Sequence, residues 1–251
     1  MLIPVILLLL FVFVPSLVPA QDITSNLQGW WKFEAGTGTS AVDSSGNANT
    51  GTLSGTTLPT WATGRIGLFA LSTDGTGGYV TAGTGSTLNF TGSFSLAAWI
   101  YPITLGGGSA GVIADRRTTG NTVGYSFRFT TSGTGLTFIL NAAAGSDQVA
   151  SNSSVITLNV WQHVVVTYNT TGKAVNFYVN AVGAGSGTTS TDPLTNSGSF
   201  YIGNREDLAR GFNGYIDEVR AYSRVLTSAD VSTLYQYGKS NQFPRVSHYA
   251  P

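Results

Sequence analysis

The residues whose types could carry catalysis in this chain are few, and the adjacent carboxylates Asp217 and Glu218 are the first of them. A retaining glycoside hydrolase needs two carboxylates that project from one face, about 5–5.5 Å apart. Neighbouring residues of a strand point to opposite faces, and the positions two residues before and after Asp217 hold Tyr215 and Val219. The spacing that glycoside hydrolysis requires is therefore absent from this segment.

Nucleophilic catalysis and phosphate binding find no better support. The chain has no cysteine, and its two histidines, His163 in a valine-rich run and His248 near the C-terminus, offer no base for a serine. We interpret His163 as a structural residue of the core. The glycine-rich segments 106–108 and 183–187 lack the Lys-Ser/Thr pair and the helix of a phosphate-binding loop. The sequence thus predicts that the protein is not an enzyme.

Composition narrows the class of protein further. The 251 residues include 32 glycines and 12% aromatic residues but only 10% charged residues, which is typical of a globular β-rich domain. Twelve Lys and Arg residues balance twelve Asp and Glu residues, and no basic run exceeds Arg116-Arg117. Nucleic acids and anionic membrane surfaces are therefore not expected as partners.

The N-terminal segment predicts export. Residues 2–18 are apolar apart from one serine and two prolines, and small residues precede a cleavage point after Ala20. The predicted organisation is a signal peptide over residues 1–20, one domain over 21–239 and a tail over 240–251. No positive charge lies within residues 1–10, so retention of the segment as an anchor stays open. The expected location is secreted or at the cell surface, with no membrane span once the segment is cleaved.

Short strands at regular spacing occupy the domain. Apolar alternation bounded by Gly, Thr, Asn and Pro predicts strands at 27–34, 93–102, 111–117, 124–129, 136–140, 161–168, 173–180, 200–204 and 215–222, and the segment 61–81 is interpreted as a strand, a glycine-rich turn and a second strand. In the segment 93–102 both faces become apolar toward the end, which is typical of a central strand. This pattern predicts an all-β fold, an antiparallel two-sheet β-sandwich of the jelly-roll type.

One short helix is predicted after the last strand. Thr227 and Asp230 form a capping-box-like opening, and Val231, Leu234 and then Gly238 follow at helical spacing. A single helix at the end of a β-rich chain is expected to cover a sheet edge or an end of the sandwich.

Within the last strand, period-two alternation places Glu218 and Arg220 on the face of Ile216. The same alternation places Asp217 on the opposite face together with Val219. Asp217 is therefore the better candidate for a buried oxygen ligand or for a hydrogen-bonded structural carboxylate, and both interpretations stand.

The segment 212–227, Phe-Asn-Gly-Tyr-Ile-Asp-Glu-Val-Arg-Ala-Tyr-Ser-Arg-Val-Leu-Thr, resembles the closing strand of laminin G-like, or concanavalin A-like, jelly-roll modules. The runs 93–102 and 161–168 resemble other strands of the same modules, and the resemblance extends over residues 28–238. It implies two antiparallel sheets more strongly than it implies any ligand, because this module occurs on enzymes, adhesins and receptors alike.

The loop Asp43-Ser-Ser-Gly-Asn47 is rich in oxygen atoms. Its residues favour Asx turns, so the loop fits a simple connector as well as part of a calcium site. In the resembling family the equivalent loop lies beside the closing Ile-Asp-Glu strand and is associated with metal in some members. The resemblance thus implies Asp43, Asn47 and Asp217 as ligands of a structural calcium ion.

These observations predict a secreted, non-catalytic recognition module that binds a glycan. Trp61, Tyr125 and Tyr201 are the candidate stacking platforms, although each of them also fits the core of a sandwich. The alternative is an adhesion or assembly protein that binds another extracellular protein through a sheet face or edge. A divergent glycoside hydrolase is the third possibility.

Overall fold

Two antiparallel sheets pack against each other in the computed structural model, which describes residues 22–118, 123–131, 133–141 and 147–241. The predicted signal peptide and most of the predicted tail lie outside the described residues. The strands are β1 (Leu27–Trp31), β2 (Ser40–Ala41), β3 (Gly51–Gly55), β4 (Thr60–Thr63), β5 (Phe69–Asp74), β6 (Gly78–Thr81), β7 (Phe94–Pro102), β8 (Val112–Arg117), β9 (Gly124–Phe129), β10 (Leu136–Leu140), β11 (Asp147–Ala150), β12 (Gln162–Asn169), β13 (Ala174–Val179), β14 (Val182–Thr188), β15 (Tyr201–Ile202) and β16 (Asn213–Tyr222). The predicted all-β sandwich is confirmed.

Sheet A has the strand order β14-β13-β12-β7-β16-β5-β4, and β1 pairs with the second half of β16. Sheet B has the order β11-β10-β9-β8-β15-β6-β3-β2. The central position of β7 in sheet A agrees with its prediction as a strand that is covered on both faces. Every pairing among these strands is antiparallel, both between consecutive strands such as β8 and β9 and between distant ones such as β7 and β16.

The core lies between the two sheets because each strand alternates. In β7, Phe94, Leu96, Ala98 and Ile100 face sheet B, and all four are buried in the main core cluster. Trp99 belongs to the opposite face of the strand, which we call the outer face of sheet A.

One helix, α1 (Ser228–Ser240), packs on that outer face and not on an edge or an end of the sandwich, which corrects the prediction. Its apolar residues Val231 and Leu234 form a second cluster with Val165 of β12 and Tyr222 of β16. The predicted capping box is present, because the Thr227 side chain accepts from the backbone N–H of Asp230 and the Asp230 carboxylate accepts from that of Thr227. Within the described residues, no helix has the length and apolar character needed to span a membrane.

The helix does not stop at Gly238, as its glycine predicted, but continues for two more residues. A Cβ at Gly238 would lie 2.3 Å from the indole Nε1 of Trp99. The glycine therefore permits the close approach of α1 to β7, and its presence near the end of the helix has no connection with capping.

Candidate functional site

The outer face of sheet A is divided into two parts. The covered cluster lies beneath α1 and consists of Trp99, His163, Asp217, Glu218 and Arg220, all of which are buried. The aromatic row lies beyond the helix and consists of Tyr101, Trp161 and Tyr215, all of which are partly exposed. The same strands supply both parts.

A β-bulge in β16 determines which side chains enter the covered cluster. Asp217 pairs with Trp99 and Arg220 pairs with Ala97, so three steps on β16 match two steps on β7. Glu218 is the extra residue and adopts a left-handed conformation, with φ of 51°. The bulge shifts the alternation by one residue, so Asp217 and Arg220 share the outer face while Val219 faces the core. The predicted alternation, which placed Asp217 with Val219 and opposite Arg220, is wrong for this reason.

The carboxylate of Glu218 is fixed by two donors. The Arg220 guanidinium donates from Nη2 to Glu218 Oε2 at 2.7 Å, and the Trp30 indole donates from Nε1 to the same oxygen at 2.8 Å. Arg220 also stacks on the Trp30 ring, with its Cζ 4.2 Å from the ring centroid. Burial lowers the pKa of Arg220, Glu218 and Tyr222 together raise it by more, and the net direction is upward. Glu218 and Arg220 thus form a buried ion pair, and its role is structural.

Asp217 is fully buried and joins β16 to the segment that precedes β5. Its Oδ2 accepts from the backbone N–H groups of Arg65 (2.8 Å) and Ile66 (3.0 Å), while Oδ1 is buried without a hydrogen-bond partner. Burial raises the pKa of Asp217 well above its ordinary value, and the nearby Glu218 carboxylate raises it further. Of the two interpretations from the sequence, the structure contains the hydrogen-bonded carboxylate.

His163 is a structural residue, as expected. Its ring lies 5.4 Å from Trp99 and 6.4 Å from Tyr235, measured between centroids, and burial lowers its pKa to about 3. Nδ1 is buried without a hydrogen-bond partner, so the imidazole is neutral at physiological pH. A cavity of only about 10 Å³ remains among these side chains and α1, enough for one water at most.

The aromatic row follows directly from strand register. Tyr101 of β7 pairs with Tyr215 of β16, Tyr215 pairs with Ser72 of β5, and Ser72 pairs with Thr60 of β4. Trp161 immediately precedes β12, the strand on the other side of β7. Residues opposite each other on neighbouring strands lie side by side on one face, so three aromatic rings and two hydroxyls form one line across sheet A.

The three rings of the row contact one another. The ring centroid of Tyr101 lies 5.3 Å from that of Tyr215 and 5.8 Å from that of Trp161, and Trp161 and Tyr215 are 6.3 Å apart. These separations are those of interacting aromatic pairs. Because α1 does not extend over them, the rings form a continuous platform that is partly open to solvent.

A groove of about 370 Å³ opens beside the platform. Tyr215 lines it together with Thr60, Ser72, Asp74 and Asn213. Asp74 and Asn213 pair across β5 and β16, so a carboxylate and an amide stand at the same end of the groove. The hydrogen bond from the Thr76 hydroxyl to Asp74 Oδ1 lowers the pKa of this carboxylate, which is ionised at neutral pH. Hydroxyl, amide and carboxylate groups thus border an aromatic surface.

The predicted calcium ligands are engaged in other contacts. Asp43 Oδ1 accepts from the backbone N–H groups of Trp30 and Ser45, and Oδ2 accepts from the Ser45 hydroxyl and the Asn49 backbone N–H. The exposed Asn47 donates from Nδ2 to the carbonyl of Leu27. The loop is therefore held as a network of Asx-type turns.

These contacts do not fit a calcium ion at Asp43, Asn47 and Asp217. N–H and O–H donors point at both oxygens of Asp43, where calcium would require lone pairs. Asp43 and Asp217 share no hydrogen-bond partner in the described part of the chain. Among the described residues, no three His, Cys, Asp or Glu side chains lie close enough together to hold a metal ion. The calcium site stays a prediction without support from these contacts.

The predicted stacking platforms lie in three different places. Tyr125 is 1% exposed and its hydroxyl donates to the carbonyl of Leu88, so it belongs to the core and cannot stack on an external ligand. Trp61 lies on the edge strand β4, partly buried against the core, with its indole N–H donating to Gly38. Tyr201 lies on sheet B against Tyr79 with centroids 5.5 Å apart. The structure does not bring the three together.

Sequence reasoning missed the members of the aromatic row. Each one lies in a predicted strand or at its end, and Tyr101 falls on the face of β7 that is opposite to Phe94 and Leu96. The available signal was three aromatic residues at strand ends, on faces not needed for the core. The sequence does not show which strands are neighbours, and only that information joins the three rings into one surface.

Comparisons with known proteins agree with this architecture. A family model described as the concanavalin A-like lectin/glucanases superfamily matches residues 74–232. No curated protein sequence matches the chain. Among solved structures, domain 4 of AbnA, a GH43 extracellular arabinanase from Geobacillus stearothermophilus in complex with arabinotriose, is 24% identical. The match covers 84% of this chain and 98% of that domain, with a TM-score of 0.65.

Two toxin structures are similar in fold. The binding domain of Paraclostridial Mosquitocidal Protein 1 is 16% identical with a TM-score of 0.68, and the match covers 86% of this chain and 53% of that domain. A botulinum neurotoxin type C structure, described by the dependence of cell entry on two ganglioside molecules, is 17% identical with a TM-score of 0.62. That match covers 86% of this chain and 52% of the toxin chain. The chain thus spans about half the length of these toxin domains.

Proposed function

The chain belongs to the concanavalin A-like lectin/glucanase superfamily, and from this premise we propose that it is a non-catalytic module that binds a glycan on the aromatic row. The observation that carries the proposal is the register of Tyr101 and Tyr215, which aligns two rings with Trp161 beside a polar groove. The solved domain that was crystallised with arabinotriose has the same fold, which supports a sugar as ligand.

The chemistry of the row suits a sugar. A pyranose or furanose ring has apolar C–H faces that pack on aromatic rings and hydroxyls that need hydrogen-bond partners. Asp74 and Asn213 supply acceptors and donors at one end of the groove, and Thr60 and Ser72 supply hydroxyls along it. A glycan lying along the row would therefore find both kinds of contact within one surface.

The state of the carboxylates supports binding without catalysis. Asp217 and Glu218 are 0% and 5% exposed, with Glu218 beside Tyr237 of α1 and Asp217 against the backbone of Arg65 and Ile66. Donors from Arg220 and Trp30 hold Glu218, and backbone amides hold Asp217. Neither carboxylate is open to a substrate, so the pair cannot serve as acid and nucleophile on a glycosidic bond.

We further propose an extracellular location. The apolar segment 2–18 with small residues before position 21 carries this part of the proposal. The arabinanase that contains the similar domain is itself extracellular. Detection of the mature chain in culture medium, with Gln21 as the first residue, is the expected outcome.

The test of glycan binding is titration calorimetry of the purified chain, with arabinotriose as the first probe and a glycan array to find tighter ligands. Trp161→Ala and Tyr215→Ala are each expected to weaken binding about tenfold or more, since each removes a stacking surface. Tyr201→Ala is the matched control, because it removes a partly exposed tyrosine from the opposite sheet. A chain that binds no glycan on the array, or that loses binding only with Tyr201→Ala, contradicts the proposal.

A protein partner is the second candidate, and one observation favours it. Leu58, Ile103 and Val160 are 50%, 39% and 47% exposed, and Leu58 and Ile103 line the groove beside the row. An apolar border of this kind is typical of protein interfaces. Under this alternative, Val160→Ser, at an exposed residue that does not line the groove, would abolish a complex while leaving any glycan affinity unchanged, and pull-down with calorimetry on the same variant separates the two functions.

A further inference from the structure

The outer face of sheet B, which points away from the core, carries a guanidinium of which two nitrogens are buried without a hydrogen-bond partner. Arg128 lies on β9 between the core residues Phe127 and Phe129, so its side chain projects to the outer face. Arg128 is 7% exposed, and its Nε and Nη1 atoms are buried without a hydrogen-bond partner. A buried charge is costly unless it is paired and hydrogen-bonded.

Two hydroxyls on the same face share this property. Thr137 is directly opposite Arg128 on β10, and Ser126 precedes Arg128 by two residues on β9. Both residues are 0% exposed, and both hydroxyl oxygens are buried without a hydrogen-bond partner. Three neighbouring side chains on this face therefore carry buried polar atoms without a hydrogen-bond partner.

The charge around Arg128 is positive. Burial and the charges of Arg117, Arg210 and Arg205 together lower the pKa of Arg128 to about 10, against an opposing effect of Asp115. Arg128 still carries its proton at neutral pH, so its charge needs compensation that these neighbours do not supply.

The surrounding groups already have their own partners. Arg117 forms a buried ion pair with Asp115 at 2.7 Å, which occupies the carboxylate on this face. Arg205 pairs with the carboxylate of Asp207, and Arg210 donates from Nη1 to a backbone carbonyl. Arg128 has no ion pair among the described residues, and its Nε and Nη1 have no hydrogen-bond partner.

We propose that Arg128, Ser126 and Thr137 bind an oxyanion group, supplied either by an acidic sugar or by free sulfate. A guanidinium offers paired N–H donors that match carboxylate and sulfate oxygens, and the two hydroxyls add further donors. A cation is excluded because the central group is itself positive. The site lies on the sheet opposite the aromatic row, so it does not depend on the proposed function.

The first experiment measures the thermal midpoint of the full chain with sodium sulfate, sodium glucuronate or glucose, against sodium chloride at equal ionic strength. A saturable rise of several degrees is expected when the anion reaches about one hundred times its Kd. A rise with both anions but not with glucose supports the site and an acidic sugar as the source. A rise with sulfate alone supports the site and free anion as the source. No saturable rise with either anion overturns the proposal.

Variants of Arg128 provide the second readout. Arg128→Met is expected to abolish the response and, in chloride, to have a midpoint no lower than that of the wild type, because it removes an unpaired buried charge. Lys173→Gln is the control, since it removes a positive charge from a half-exposed side chain on sheet A, and it should keep the response. Arg128→Lys retains the positive charge but lacks the paired N–H donors of the guanidinium. It should therefore weaken the sulfate affinity by about tenfold. An anion response that survives Arg128→Met, or an unchanged affinity in Arg128→Lys, overturns the assignment.

Discussion

The covered cluster and the aromatic row occupy the same face of the same strands, yet they use their side chains in opposite ways. Beneath α1, carboxylates, a guanidinium and an imidazole are buried, and fixed internal donors engage both carboxylates. Beyond α1, three aromatic rings stay partly exposed and border a polar groove. Burial turns residues of catalytic type into structural ones, whereas exposure leaves apolar rings available to a ligand.

The difference also separates stability from function. Changes in the covered cluster are expected to alter the free energy of unfolding and to leave ligand affinity unchanged. Changes in the aromatic row are expected to do the reverse. The four predictions below address the covered cluster and its border, from the largest expected effect to the smallest.

Glu218→Ala is expected to give the largest loss, about 3–5 kcal/mol in the free energy of unfolding, because it leaves the buried Arg220 without its carboxylate. Denaturant titration measures it. Glu34→Gln is the control, because it removes the charge of an exposed carboxylate but keeps an oxygen that accepts from the Leu68 backbone N–H, and it should stay within about 0.5 kcal/mol. The double variant Glu218→Ala with Arg220→Ala should be less unstable than the sum of the two single changes. Simple additivity would show that the pair is not coupled.

Gly238→Ala is expected to destabilise the protein by about 1–3 kcal/mol, because the added methyl group would overlap the Trp99 indole. The sign is informative, since the same change in an ordinary helix interior stabilises by roughly 0.8–1.0 kcal/mol. Gln236→Ala, at an exposed position of the same helix, is the matched control. A stabilised Gly238→Ala chain would mean that α1 does not lie against Trp99 in solution.

His163 predicts an acid-sensitive stability. Its folded pKa is about 3 against an ordinary 6.5, so between these values the unfolded chain binds the extra proton. The free energy of unfolding should therefore fall as pH drops below about 6.5, by up to about 1.4 kcal/mol per pH unit. Asp217 acts in the opposite direction, because its raised pKa makes the folded chain bind its proton more tightly. Parallel pH profiles of the wild type and His163→Gln isolate the histidine, and identical slopes would contradict the prediction.

Calcium should give the smallest effect. Protein donors already occupy Asp43, so the thermal midpoint is expected to be the same within about 1 °C in excess calcium and in chelator, because a ligand stabilises only when it binds the native state. Asp43→Asn should lower the midpoint equally in both buffers. A rise with calcium that Asp217→Ala removes would restore the metal site that the family resemblance implies.

Much of the fold could be predicted from local pattern. Alternation in 93–102 correctly indicated a central strand that is covered on both faces. The capping box of Thr227 and Asp230 correctly indicated where the helix begins. These signals depend on residues close together in sequence, so they need no knowledge of the partner strands.

The site was harder to predict, and two residues show why. Glu218 has a left-handed backbone conformation that residues other than glycine rarely adopt. Its residue type does not indicate the β-bulge, which reverses the alternation of side chains after it. Tyr125 is an aromatic residue of the type that stacks on a sugar, but its neighbours on both sheets bury it. Both outcomes depend on contacts between residues that are distant in the chain.

The sequence by itself determined most of the strands, the helix start, the neutral charge and the absence of a catalytic carboxylate spacing, because all of these are local or compositional properties. The tertiary structure alone decided where α1 lies, which carboxylates it covers, and that Tyr101, Trp161 and Tyr215 form one surface. The physical reason is that burial and register are pairwise properties of distant segments, and the hydrophobic pattern of one segment does not specify its partner.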